Sequence, residues 1–224
     1  MEGPLIAVVE SFTGREDVGA GAEALARRLG EPRVVGAEVP AVRAALSGAR
    51  RPVVVATECV VALATLPWVA EQRPDAKVLW LDTHPDFNTP DTSPSGYVGG
   101  MPLAGATGQF DAGVAPLLPA ERVVLAGIRD IDPGEGELLA ASCARVVDLG
   151  AVPEALGDAP VFIHFDCDVI DGYPAAWPAP GGPSADELRD LLQALAARNE
   201  IVGLTVTAVA GPPEIPHQIV EPLL

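Results

Sequence analysis

Short β-branched or aliphatic runs recur along the chain at residues 5–9, 53–56, 78–81, 123–126, 161–165 and 201–206. Each is apolar on both faces, the mark of a strand covered above and below in a parallel sheet. Between them lie Ala- and Leu-rich stretches of helical character, at 19–29, 42–46, 136–142 and 184–198. Strands that alternate with helices specify an α/β fold with a doubly wound, mainly parallel sheet. Ser184 followed by Asp186 and Glu187 supplies an N-cap and an acidic first turn for the last of these helices. A chain of 224 residues that is 49% hydrophobic can bury the core of one such domain.

The charge balance narrows the ligand class. Fourteen Lys and Arg against 31 Asp and Glu give a net charge of −17, which repels nucleic acid and anionic membrane surfaces and favours solubility or a cationic ligand. Cys59, Cys143 and Cys167 are odd in number and have no paired spacing, so a disulfide framework is not expected and a reducing cytoplasm is. The N-terminus has no basic leader, and no apolar run reaches the roughly 20 residues of a membrane span. Two long connections, 85–108 and 171–183, are rich in Gly, Pro, Ser and Thr and directly follow strands. Ligands of α/β sheets bind among such loops.

Two strand ends carry the chemistry. Asp82, His84 and Asp86 follow the run 78–81 at spacing two, and His164, Asp166 and Asp168 close the run 161–165 in the same way. On extended chain each trio shares one face. One Asp-x-His-x-Asp is equally a hydrogen-bonded loop cap. Two such strand ends concentrate negative charge that calls for a cation, and oxygen with imidazole ligands suits manganese. Two ions about 3.5–4 Å apart, bridged by shared carboxylates, make a nucleophile from water at neutral pH. His164 lies within an apolar run and reads as a histidine orienting a carboxylate ligand, and Cys167, of opposite parity, reads as core.

The segment from Trp80 to Pro90, continued by Thr92-Ser93-Pro94-Ser95-Gly96, resembles the metal- and substrate-binding loop of the arginase (ureohydrolase) family. His164 to Asp171 is similar to the family's second metal motif, and Gly127 to Glu135 to the segment between. The resemblance implies a three-layer α/β/α fold and one or two manganese ions. One ion would be held by Asp82, Asp86 and Asp166, the other by Asp82, His84, Asp166 and Asp168. It also implies that Asn88 and Ser95 hold a substrate α-carboxylate and Asp132 its α-amino group, so the expected partner is a small amino acid.

Departures from the family pattern bear on the reaction. Thr57-Glu58-Cys59 stands where arginases carry Gly-Asp-His, so Cys59 replaces a histidine ligand. It is either a soft ligand or a buried strand-end residue beside a one-metal site. Tyr97 replaces an asparagine, Gly99 a histidine credited with proton shuttling, and Ala208 a glutamate that grips the guanidinium. Tyr97 is either a pocket residue or a loop residue packing on Trp177. The chain ends at Leu224, so the family's last helix is expected to be short or missing, leaving a monomer or small homo-oligomer.

A weakly basic guanidine tolerates these losses better than arginine does. The Cys-for-His replacement also resembles hydroxyarginine hydrolases of antibiotic biosynthesis. The expected reaction is therefore hydrolysis of Nω-hydroxy-L-arginine to L-ornithine and hydroxyurea, with Asp86 as proton acceptor and donor. The alternatives are hydrolysis of L-arginine to ornithine and urea, a hydrolase of another linear C–N bond, and a catalytically silent arginase-like binding protein.

Overall fold

Each apolar run of the sequence forms a strand in a computed structural model of the chain, which describes residues 3–15 and 19–224. The strands are β1 (Leu5–Val8), β3 (Val53–Ala56), β4 (Lys77–Leu81), β5 (Val123–Ala126), β7 (Val161–Asp166) and β8 (Ile201–Thr207). Two further strands, β2 (Arg33–Val34) and β6 (Arg145–Val146), close the edges, giving the order β2-β1-β3-β8-β7-β4-β5-β6 with every pairing parallel. These edges are two residues long, exposed, and carry Arg33 and Arg145. Short charged edges discourage pairing with another sheet.

The helices are α1 (Ala22–Leu29), α2 (Val39–Leu46), α3 (Ala62–Gln72), α4 (Pro102–Ala106), α5 (Pro133–Ala141), α6 (Val152–Leu156), α7 (Ala185–Arg198) and α8 (Glu214–Val220). Strand side chains alternate between two cores. Val55, Leu79, Ile163 and Leu204 pack with α1, α6, α7 and α8, while Val54, Val78, Trp80 and Phe162 pack with α2, α3, α4 and α5. The result is the three-layer α/β/α arrangement expected. Helix α7 starts as its sequence predicts: Ser184 Oγ accepts from Glu187 N at 3.3 Å, and the Glu187 carboxylate accepts from Ser184 N at 2.9 Å. Its Leu188, Leu191, Leu192 and Leu195 are buried at helical spacing.

The strand order brings the site together. After β4 the chain builds β5 and β6 at one edge, then returns β7 and β8 into the centre. The carboxyl ends of β3, β8, β7 and β4 thus stand side by side, gathering residues 57–59, 207–208, 166–168 and 82–86. Ligands of open α/β sheets bind at such ends. No helix among the described residues is long and apolar enough to cross a membrane.

Candidate active site

Asp166 ends β7 and is held from three directions. Its Oδ1 accepts from Asp168 N at 2.9 Å, and its Oδ2 accepts from Thr207 Oγ1 at 2.9 Å and from the Cys59 thiol at 2.8 Å. Neighbouring Asp168 accepts through Oδ1 from Thr83 N at 3.2 Å and meets His84 Nδ1 through Oδ2 at 3.1 Å. Asp82, at the end of β4, accepts through Oδ1 from His84 N at 2.8 Å. Its Oδ2 lies 3.9 Å from Cys59 Sγ. Two overlapping sets of donor atoms result, each spanning no more than 4.8 Å: Cys59, Asp82, His164 and Asp166, and Asp82, His84 and Asp168.

His164 is fully buried and stacks on Trp80 of the adjacent strand, with ring centroids 3.6 Å apart. Its Nε2 lies 3.4 Å from Cys59 Sγ and 3.5 Å from Thr207 Oγ1, while Nδ1 has no partner. Burial lowers its pKa to about 3, so the ring is neutral. Burial, reinforced by the charge of Asp166, pushes the Cys59 thiol well above its ordinary value, which keeps its hydrogen for Asp166.

Asp86 lines the same cavity but belongs to neither donor set. Its backbone carbonyl accepts from Leu103 N and Ala104 N at 3.1 and 3.2 Å, its φ is 49°, and its buried Oδ2 has no partner. Ala208, at φ 53°, lines the cavity too.

Burial raises the carboxyls of Asp82 and Asp86, and that of Asp166 to about 7, with the charge of Asp168 adding to the shift at Asp82 and Asp166. Burial opposes charge on His84, but its hydrogen bonds to Asp168 and Asp82 raise it to about 12. His84 is the only basic side chain among the described residues that line the cavity. Such a concentration of buried acid, with one carboxylate oxygen orphaned, is stabilised by a divalent cation. Asp82, His84 and Asp168 offer oxygen and imidazole, which suit a hard ion such as manganese. The soft sulfur of Cys59 suits it less well.

The cavity encloses about 290 Å³, close to the lower end for small-molecule sites, about 300 Å³. Asn88, Ser95 and Asp132 also line it. Asn88 Nδ2 donates to Asp132 Oδ2 at 2.9 Å. Glu135 fixes this corner, accepting from Phe87 N at 2.7 Å and from Asp132 N at 3.2 Å. Ser95 is exposed at the rim, where its Oγ accepts from Tyr97 N at 3.2 Å. Tyr97 does both things considered for it: it lines the cavity, and it packs on Trp177 with centroids 4.7 Å apart.

All the residues singled out by motif except His164 therefore line one cavity, and His164 lies behind Cys59. Sequence reasoning missed Thr207, Thr83, Glu135 and Arg129. Arg129 donates to the carbonyls of Ala179, Gly127 and Asp168 at 2.8, 3.0 and 3.1 Å, tying the 171–183 connection to the end of β7. For Thr207 a signal existed: it is the polar residue that ends the apolar run of β8, in register with Asp166.

The sequence pattern of the arginase family matches residues 29–219. The chain belongs to the arginase family. Among relatives, an Nω-hydroxy-L-arginine amidinohydrolase of Streptomyces lavendulae is 42% identical over 174 residues, covering 75% of this chain and 63% of that protein. An arginase of Brevibacillus brevis is 33% identical over 174 residues, covering 67% of this chain and 58% of that protein. The chain thus spans less than two thirds of the length of these arginase-family relatives. Its fold is that of the Bacillus subtilis arginase crystal structure, with a TM-score of 0.82 at 24% identity over 99% of this chain and 97% of the other. Entamoeba histolytica arginase superposes with a TM-score of 0.84 at 17% identity, covering 98% and 97%.

Proposed function

We propose that this arginase-family chain is a manganese-dependent hydrolase of a guanidino C–N bond, acting on Nω-hydroxy-L-arginine to give L-ornithine and hydroxyurea. The observation that carries this reading is the Cys59 thiol hydrogen-bonded to Asp166 at the edge of an acid-rich cavity whose wall at Ala208 is uncharged. A fully basic guanidinium needs a counter-charge there, whereas a hydroxyguanidine, being a weaker base, does not. The likeness to the Streptomyces lavendulae amidinohydrolase supports the same substrate.

Asp82, His84 and Asp168 would hold manganese, and Asp82 also belongs with Asp166 to the donor set on the Cys59 side. When bound, the metal supplies Lewis acidity and eases deprotonation of water at neutral pH. Asp86, with its unpaired Oδ2, takes the proton from the attacking water as the new C–O bond forms at the guanidine carbon. The same carboxyl returns the proton to the δ-nitrogen as the C–N bond breaks, so that ornithine leaves as an amine. Asn88, Ser95 and Asp132 fix the α-amino and α-carboxylate groups, and His164 stays neutral and buried behind Cys59.

The test is ornithine release from Nω-hydroxyarginine and from arginine by the same manganese-loaded protein. Release from the first at a kcat/KM well above the second is expected. Preference for arginine would return the chain to ordinary arginase chemistry, and no release from either would leave a binding protein.

A further inference from the structure

Tyr97 donates its phenolic hydrogen to Glu58 Oε1 at 2.9 Å. The same buried carboxylate accepts from Ser11 Oγ at 2.8 Å, Phe12 N at 2.6 Å, Thr13 N at 3.3 Å and the Thr13 hydroxyl. A carboxylate has about four lone-pair directions. Glu58 therefore lines the cavity but has no acceptor capacity left for a cationic ligand. The Tyr97 hydroxyl has spent its only hydrogen on Glu58, so toward a ligand it can act only as an acceptor without formal charge. Cys59, next to Glu58 in the chain, meets Asp166 and Asp82, and Glu58, Cys59 and Tyr97 line the same cavity.

The ring is fixed from two more sides. Trp177 packs on it, with the Arg15 guanidinium 4.5 Å from the Trp177 ring centroid. Gly99 leaves it room: a Cβ there would lie 2.2, 2.4 and 2.6 Å from Cε1, Cζ and the hydroxyl oxygen of Tyr97. Ring and side chain at position 99 are mutually exclusive.

We infer that Tyr97, positioned by Glu58 in the volume vacated at Gly99, is the specificity-determining residue at the guanidine end: its hydroxyl oxygen accepts from a weakly basic N–H or N–OH group and offers a guanidinium no counter-charge. This rests on the hydrolase reading above. A donor that enters neutral needs only an acceptor, while a desolvated cation needs an opposite charge.

The experiment compares the manganese-loaded wild type with Tyr97→Phe, which keeps the ring and loses the oxygen, and with Gly99→Ala, which displaces the ring. Each protein is assayed with both substrates, and each substrate is also titrated calorimetrically, with melting temperature as the folding control. Both variants are expected to lower kcat/KM for Nω-hydroxyarginine about tenfold, through KM, the size of one lost hydrogen bond. The value for arginine should hold within about twofold. Unchanged hydroxyarginine kinetics in Tyr97→Phe, or an equal loss on both substrates, would overturn the inference while leaving the hydrolase reading intact. Should the wild type turn over neither substrate, the hydrolase reading falls and the titrations decide: weaker hydroxyarginine binding by Tyr97→Phe supports the role of Tyr97, and equal binding or none overturns it.

Discussion

Cys59 Sγ lies 2.8 Å from Asp166 Oδ2, closer than any other polar atom bonded to that thiol. The cysteine thus shares this carboxylate oxygen with the Thr207 hydroxyl, which donates to it at 2.9 Å. Its thiol acts as a hydrogen-bond donor to Asp166.

Cys59→His is expected to raise bound manganese from about one ion per chain to about two, since imidazole is a donor that manganese accepts more readily than a thiol. Arginine turnover should rise with it. Elemental analysis of dialysed protein gives the count, and an unchanged stoichiometry would mean that position 59 does not govern the second ion.

Removing Asp82, which belongs to both donor sets, should abolish metal binding and turnover together. The wild type is expected to melt higher with manganese. At a free concentration about 100 times Kd the gain is about 2.7 kcal/mol, or roughly 5–10 °C for a chain of this size. Asp82→Ala should show no metal-dependent shift in a calorimetric scan; an undiminished shift would remove Asp82 from the ligand set.

Thr207→Val keeps the shape of the side chain but deletes the donor to Asp166 Oδ2. Losing a partner that orients a ligand typically weakens metal affinity about 10–100-fold. Titration with manganese should show that loss with little change in fold by circular dichroism, and wild-type affinity would make Thr207 a packing residue only.

Much of this was legible in the chain because the apolar runs are long and the acidic clusters sit at their ends. The centre of the sheet, the start of α7 and the residues converging on the cavity all follow from patterns within a few positions. Helix α3 did not, because Pro67 stands inside it and it is apolar nearly all round, which erases the amphipathic signal. The two-residue edge strands are too short to carry a pattern. Glu58 and Glu135 were opaque for another reason: their partners, Ser11, Thr13, Tyr97, Phe87 and Asp132, are set by strand order, and only Asp132 is near in sequence to its carboxylate.

Away from the cavity, Arg73 joins the end of α3 to the start of β8, with Nη2 3.0 Å from Asp75 and Nη1 2.8 Å from Glu200. Hydrogen bonds from Arg73 hold both carboxyls below their ordinary values, burial opposing only weakly. A depressed folded-state pKa stabilises above the unfolded value and is lost as pH falls through the folded one, so the effect should fade below about pH 4. Both acids are largely exposed, which limits the ion-pair part to under about 1 kcal/mol. Urea unfolding should therefore show Arg73→Ala destabilised at pH 7 and the difference narrowed at pH 3; a gap that does not change with pH would place the arginine's contribution in packing.

Asp86 and Ala208 are the only non-glycine residues with positive φ among those described, and both line the candidate active-site cavity. Each such conformation costs of order 1–3 kcal/mol and persists only where its surroundings impose it. A laboratory search for heat-resistant variants would be drawn to these two positions, because relaxing the backbone is a common route to higher melting temperature. The same relaxation would move the carboxylate proposed to handle the proton and the wall proposed to face the guanidine. Thermal robustness and turnover are thus expected to trade against each other at these two positions before they do so anywhere else in the chain.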